Sequence, residues 1–517
     1  MGTLFAQNKT TKTDAVVKLD ALLTVINYAY VDEVNNEEMV EDAIKGLLKE
    51  LDPHSVYIPE KELKKMNEPL EGNFEGIGIQ FNILKDTITV VSPISGGPSE
   101  KLGIASGDKI VFIEKENVAG VGITNSDVQK KLRGKKGTVV NVKIKRNGEK
   151  DLIPFSITRD KIPLYSVDAS YMATPDIGYI KVNRFARTTM EEFNQALDTL
   201  KQNGAKNLIL DLRGNGGGYL QTAFLLADEF LSQGKMIVYT AGDKQTKEAY
   251  KATSRGKFEQ GKLAILVDEG SASASEIVSG AVQDWDRGMV IGRRTFGKGL
   301  VQKPFPLPDG SAIRLTTARY YTPTGRSIQR PYNKGKEAYY KEINRRYKHG
   351  ELMEADSIDF PDSLKYYTPN KRLVYGGGGI MPDVFIPLDT TLNTELNRQL
   401  IRRGVYNEFT LSYLDKHRKK YLKTYPDFKT FKDNFELSDD FLDDFFTYAK
   451  KKEVEKNEDE YKKSKKLIDT QITALLARNL YTTSAYFEII NQLNDSYLEA
   501  INLIQSDEFE KAKLEYE

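Results

Sequence analysis

Cysteine is absent from the chain. That excludes disulfides, thiolate metal sites and a cysteine nucleophile, and leaves the redox compartment open. Histidine is nearly as scarce: His54, His349 and His417 lie in three different regions, none of them in a glycine–serine turn. A His-ligated metal is therefore not expected, and no cofactor is implied. A serine nucleophile here calls for a base other than a neighbouring histidine. Long hydrophobic runs are missing too; none approaches the ~18 residues that span a bilayer. Met1 to Thr10 offers only Leu4-Phe5-Ala6 as an apolar stretch, too short for a secretion signal. The expectation is a cytosolic protein or one whose leader was removed. Neither sign of charge dominates: Lys+Arg number 75 and Asp+Glu 74, a net charge of +1. This gives no support for a nucleic-acid or anionic-membrane surface. A length of 517 residues leaves room for about three or four domains.

What is present centres on residues 261–302. Leu263 to Val267 is a continuous apolar run, read as a buried strand. Gly270-Ser271-Ala272-Ser273-Ala274-Ser275-Glu276 follows, then a helical period of Ile277, Val278, Ala281, Val282 and Trp285. Met289 to Ile291 reads as a second strand, leading to Gly297-Lys298-Gly299 and Gln302. A serine in a strand-to-helix turn sits at the helix's positive end, where free N–H groups can hold an anion. In a βαβ unit neighbouring strands open on one edge, so serine and lysine could meet as nucleophile and base. Taken alone, Ser273-x-x-Glu276 is also an ordinary capping box, and a lone lysine is usually a surface group.

The remaining chain falls into four regions. Residues 1–71 carry amphipathic stripes (Val16, Val17, Leu19, Leu22, Leu23, Val25, Ile26, then Met39, Ala43, Ile44, Leu47, Leu48), which predict a packed helical pair. Residues 72–160 turn to glycines and short β-rich runs. Residues 161–389 alternate strand and helix to about 292, which predicts an α/β core with a largely parallel sheet. Within it, Arg213-Gly214-Asn215-Gly216-Gly217-Gly218 follows a strand. A hairpin is expected around Pro308-Asp309-Gly310. Residues 390–517 read as a charged helical appendage, without a persistent heptad.

Two near-motifs fail. Gly292 to Gly299 resembles a phosphate loop, but Gly299 stands where the hydroxyl belongs. Gly214, Gly216 and Gly218 lack the last glycine of a dinucleotide fingerprint, because Tyr219 takes its place.

Ser271-Ala272-Ser273-Ala274-Ser275-Glu276 together with Phe296-Gly297-Lys298-Gly299-Leu300-Val301-Gln302 resembles the carboxy-terminal processing proteases, also called tail-specific proteases. The resemblance implies a serine endopeptidase with an α/β core of crotonase/ClpP-like βα units. Ser273 would be the nucleophile, Lys298 the general base and Gln302 the residue that orients the lysine. Backbone N–H groups of Gly218, with Gly217 adjacent, and of Ala274 would form the oxyanion hole. Residues 72–160 resemble an inserted PDZ domain. There Gly76, Ile77, Gly78 and Ile79 would turn amides toward a substrate's free carboxyl terminus. The strand through Phe81 would add the tail as a further strand, and Val128 and Leu132 would close an apolar pocket. The family implies a protein or peptide substrate, a periplasmic or cell-envelope location, and leaves room for a homo-oligomer through the terminal helical regions.

Pro323-Thr324-Gly325-Arg326-Ser327-Ile328-Gln329 and Gly378-Gly379-Ile380-Met381-Pro382-Asp383-Val384 also resemble family signatures. The polar insert 332–371 between them departs from the family pattern; it could cover the site, dock a partner or decorate the surface. The alternative to an enzyme is a non-catalytic PDZ adaptor, or a ligand-binding protein on the same fold.

A lysine base must be uncharged. Moving it from about 10.4 to the useful range near 7–8 takes roughly 4 kcal/mol of desolvation. Phe296, Leu300 and Val301 would supply the apolar surroundings.

Overall fold

The computed structural model describes residues 14–358 and 360–516; Leu4-Phe5-Ala6 lies outside them. The chain divides into two compact units, Met1–Leu63 with Gln302–Thr316, and Lys64–Val301 with Thr317–Glu517.

In the smaller unit, helices Asp14–Ala29 and Asn36–Lys49 precede a strand, Val56–Ile58, that pairs antiparallel with Ala312–Arg314. The turn before the strand is built by Asp52, whose Oδ1 accepts from the amides of His54 and Ser55 at 2.8 and 3.0 Å. The expected hairpin turn closes through Leu307 N donating to Ser311 O at 2.8 Å. The packed helical pair is not what forms. The first helix buries none of its residues, and Val16, Val17, Leu22 and Val25 are 48–59% exposed. Of its apolar stripe only Leu23 and Ile26 are half-buried among the described residues.

The larger unit is built around one six-stranded sheet: β1 (Val167–Met172), β2 (Ile177–Val182), β3 (Asn207–Asp211), β4 (Leu263–Val267), β5 (Met289–Gly292) and β6 (Val384–Phe385), lying side by side in that order. β1 runs antiparallel to β2, and every later neighbour is parallel. Both faces are covered, which is why β4 is apolar at every position instead of alternating. Leu263, Ile265 and Val267 pack in one cluster with helices α1 (Thr189–Gln202), α2 (Leu220–Asp228) and α3 (Ala274–Asp284). Ala264 and Leu266 face the other way and pack with Tyr497, Ala500, Leu503, Ile504 and Phe509. The end of the chain is thus the sheet's second cover. A single appendage from residue 390 onward does not describe it, because those side chains join the core.

Two further bodies belong to this unit. Residues 73–163 form a β-module entered by strand Asn73–Gly76 and left by strand Asp160–Pro163, which pair antiparallel. Its own sheet starts at the edge strand Ile79–Ile83, and helix Asn125–Leu132 opens with a Thr124–Asp127 capping box. Strand Val139–Lys145 buries every second residue, the period of a half-buried sheet. Residues 396–490 form a separate aromatic-rich helical cluster. Within the insert, α4 (Lys336–Lys348) buries Tyr339 and Arg346.

Candidate active site

Parallel neighbours β3, β4 and β5 all deliver their carboxyl ends to one edge of the sheet, where open α/β sheets place their ligands. Three loops leave that edge: the glycine loop at 212–219, the serine turn at 268–273 and the lysine loop at 293–299. The first two are laced together. Asn215, fully buried, accepts the Ala272 amide at 3.0 Å and the Ser275 hydroxyl at 2.8 Å on its carbonyl, while Ser271 Oγ donates to Leu212 O at 2.8 Å.

Ser273 is half-buried and sits just before α3 with φ 56° and ψ −107°. Such a conformation in a non-glycine residue costs on the order of 1–3 kcal/mol, and strain of this kind gathers at functional sites. What holds it is Glu276, fully buried. Its Oε2 accepts from Ser273 N at 2.8 Å and from Lys298 N at 2.9 Å, and its Oε1 from Gly297 N at 2.7 Å and Thr295 Oγ1 at 2.5 Å. Burial pushes the Glu276 carboxyl above its ordinary range, while the four donors pull toward the charged form. On the carbonyl side, Tyr320 Oη lies 2.7 Å from Lys298 O and 3.1 Å from Ser273 O, positioned to donate to both. The main chains of Ser273 and Lys298 are therefore joined twice, each time through one shared oxygen. Both side chains are half-buried.

The glycine loop touches the same turn. A Cβ on Gly217 would stand 2.9 Å from Ala272 O, 2.9 Å from Ser273 Cβ and 3.0 Å from Ala274 N, and its φ is 100°. Gly217 N already donates to Asn215 Oδ1 at 2.8 Å, so of the two glycines expected at an oxyanion hole it is engaged elsewhere. Gly218 pairs with Phe185 in an isolated bridge whose bonds run through Gly217 O and Tyr219 N; among the described residues its own amide has no acceptor. The Ala274 amide, first in α3, has none within its helix. Gln302 lies in the smaller unit, half-buried, with its Nε2 unpartnered.

The lysine loop is clamped from three sides. Thr295 exchanges bonds with Ile380, its N donating at 3.1 Å and its Oγ1 accepting at 2.6 Å. Gly299 N donates to Gln329 Oε1 at 2.9 Å, and Arg330 N to Gly297 O at 3.0 Å. The insert is the third side: Arg346 of α4 donates to Thr295 O at 2.7 Å, and Glu342 receives Arg346 and Arg330 at 2.7 and 2.6 Å. Burial would raise the Glu342 carboxyl, but its arginines outweigh that and hold it low. Arg330 also lies between the rings of Phe296 and Tyr339, 3.8 and 3.9 Å from their centroids. The insert buttresses this loop and is more than surface decoration.

At the end of β3, Asp211 is buried against Arg213 at 2.5 Å and Lys181 at 3.4 Å. Burial alone would lift its carboxyl; the two cations hold it well below the usual carboxylate range. In the β-module, Ile77, Val128 and Leu132 are buried in the core, whereas Ile79 and Phe81 are half-buried at its margin. Gly76 ends the entry strand and Gly78 follows with φ 74°. The carbonyl of Ile77 accepts from Ser99 N and Oγ at 3.1 and 2.6 Å. In the sequence Glu276 carries only the mark of a cap, and Tyr320 belongs to no motif. The S-x-x-E spacing signalled the first; nothing local signals the second.

Comparison with known proteins bears on the whole arrangement. Residues 176–335 match the model of peptidase family S41, residues 76–156 that of the PDZ domain, residues 3–62 that of the activating protease CtpB N-terminal domain, and residues 396–482 a family of unknown function. The carboxy-terminal processing protease CtpB of Bacillus subtilis is 36% identical over 328 residues, covering 63% of this chain and 68% of that protein. The carboxy-terminal-processing protease of Bartonella bacilliformis is 38% identical over 305 residues, covering 58% and 69%. Among solved structures, the photosystem II D1 C-terminal processing protease matches at 26% identity and a TM-score of 0.38, over 73% of this chain and 88% of that one. The chain belongs to the carboxy-terminal processing proteases, a PDZ-containing family of serine peptidases.

Proposed function

We propose that this chain cleaves protein substrates near their carboxyl end by a Ser–Lys dyad. Ser273 Oγ attacks the scissile carbonyl as the uncharged Lys298 amine takes its proton. The amides of Gly218 and Ala274 hold the oxyanion, each such donor being worth roughly 3 kcal/mol. Lys298 then protonates the leaving amine, and water hydrolyses the acyl-enzyme. Gln302, four positions along the chain from the lysine, is assigned its orientation by family resemblance. The PDZ-like module takes the substrate's free carboxyl terminus at Gly76–Ile79 and lays the tail along Ile79–Ile83.

The observation that carries this reading is the double clamp, Glu276 Oε2 on the two amides and Tyr320 Oη on the two carbonyls, which supports Ser273 and Lys298 acting as a pair. The test is digestion of an unfolded protein by the full chain, with fragments identified by mass spectrometry. Ser273→Ala and Lys298→Ala each abolish cleavage while the circular dichroism spectrum is kept. Cleavage retained by either variant defeats the mechanism.

Two coarser assignments accompany it. Among the described residues no helix is long and apolar enough to cross a membrane. The family resemblance favours the cell envelope, which fractionation of the native host tests. The exposed stripe of helix Asp14–Ala29 favours self-association; sedimentation that stays monomeric at all concentrations rejects it.

A further inference from the structure

The strand proposed to receive the substrate tail does not face open solvent alone. Ile79–Ile83 is the sheet's edge strand; among the described residues it pairs only with Ile88–Pro93. A cavity of about 480 Å³ lies against it, lined by the consecutive residues Gln80, Phe81, Asn82 and Ile83. Successive side chains of a strand point to opposite faces. The space also touches Val91 on the neighbouring strand and Asn125 at the start of the module's helix, so it reaches over the sheet face as well as along the free edge, the place an added strand would occupy. The opposite wall comes from the helical region: Asn407 and Glu408 of α5 (Val405–Thr424) and Arg478 of α6 (Glu458–Leu480). That wall is fixed to the β-module. Arg418 donates to Ser106 Oγ at 3.1 Å, Asn147 to Asp415 O at 3.3 Å, and Lys109 pairs with Asp415 at 3.7 Å.

The charges on the wall are not equivalent. Glu408 is matched by Lys452 at 2.5 Å and by Tyr448 Oη at 2.9 Å. Arg478 donates to Asn407 Oδ1 at 3.1 Å and lies 5.9 Å from the Tyr486 ring centroid, but among the described residues it has no carboxylate partner. Burial draws its pKa down, as expected of a guanidinium removed from water without a counter-charge.

We infer that the helical region completes the tail groove with an acid-selective subsite, in which Arg478 receives a carboxylate side chain upstream of the substrate's free carboxyl terminus. This rests on tail capture by the PDZ-like module. With the terminus at Gly76–Ile79 and ~3.3 Å per residue, the stretch beside Asn82 to Leu84 meets residues about three to five positions before the end.

The experiment uses the full chain carrying Ser273→Ala, so that peptides stay intact. Fluorescent decapeptides share an apolar carboxyl end and differ only in Asp or Asn at the fourth residue from the terminus. Anisotropy gives Asp about tenfold tighter binding, the scale of one charge-assisted contact. Adding Arg478→Gln brings the ratio near one, and Arg478→Lys keeps most of it, with thermal unfolding reporting that each variant folds. Equal affinity for both peptides, or an unchanged ratio in Arg478→Gln, overturns the subsite and leaves tail capture standing. Carboxyl-amidated peptides binding as tightly as free acids remove tail capture and the subsite together.

Discussion

Glu276→Gln tests the clamp with little change in shape. The carboxylate accepts four hydrogen bonds and donates none. An amide has one oxygen, so one pair of donors must face an NH₂. If the NH₂ replaces Oε2, the amides of Ser273 and Lys298 both lose their acceptor in a buried site, at about 1–3 kcal/mol each. If it replaces Oε1, Thr295 Oγ1 can turn to accept from the new NH₂; Gly297 N is then orphaned and the Thr295 hydroxyl proton, free to rotate, must find another acceptor. The side chain takes the cheaper flip, so the expected loss of stability is about 1–3 kcal/mol. Catalysis suffers more. The strained backbone at Ser273 is held by this side chain, and a displacement of about 1 Å can cost on the order of a hundredfold in rate. The measurement pairs chemical unfolding with steady-state cleavage of a peptide. kcat falls about a hundredfold while KM stays within a few-fold, because no substrate contact is removed. A variant as stable and as fast as the parent refutes the claim that this carboxylate sets the positions of Ser273 and Lys298.

Three more perturbations address the other supports. Gly217→Ala places a Cβ against Ala272 O and Ser273 Cβ at a φ of 100°; cleavage drops to background and unfolding shifts by about 1–3 kcal/mol, whereas full activity would show that the glycine loop does not press on the serine turn. Arg213→Gln leaves Asp211 buried without its main cation, at about 3–5 kcal/mol at pH 7. The depressed carboxyl of Asp211 contributes stability that is complete above the ordinary aspartate range, near 4, and is lost as pH falls through its folded value. The gap between parent and variant therefore narrows in acid, and unfolding curves that stay equally separated from pH 7 downward contradict the assignment. Glu342→Gln removes the anion shared by Arg330 and Arg346. It costs about 3–5 kcal/mol and lowers kcat, read by thermal unfolding and peptide turnover; unchanged kcat means the insert only decorates.

The features readable from sequence are those whose cause is local. The apolar run at Leu263–Val267, the small turn before α3 and the glycines at 214–218 each carry their instruction within a few residues. The serine turn and lysine loop could be paired because βαβ connections place successive strand ends together. Glu276 shows where this stops. Its contact with Ser273 spans one helical turn and is written as a cap, while its contacts with Thr295, Gly297 and Lys298 exist only because β4 and β5 are parallel neighbours. Tyr320 arrives from a strand that returns to the core after the hairpin, and no short motif announces it. The apolar stripe of Asp14–Ala29 predicts a buried face equally well whether its cover is the same chain or another, so the pattern could not tell a packed pair from an exposed helix. Charged helices likewise hid the second cover of the sheet, since Tyr497 to Phe509 spread their apolar residues among polar ones.

The insert carries the same argument one step further. It separates two signatures that both clamp the lysine loop, through Gln329 and Arg330 on one side and Ile380 on the other. A long addition at that point lengthens the connection between the two clamps and raises the cost of closing it, though only by the slow logarithm of its length. α4 offsets this where it matters: Arg346 reaches Thr295 O, three residues before Lys298, and Glu342 gathers Arg330 into the same buried cluster. Two residues of the polar segment 332–371, Glu342 and Arg346, thus join Arg330 in an ion network against the lysine loop, although most of the segment's charged residues stay exposed. The position of the lysine backbone depends on a segment that a motif comparison would discard.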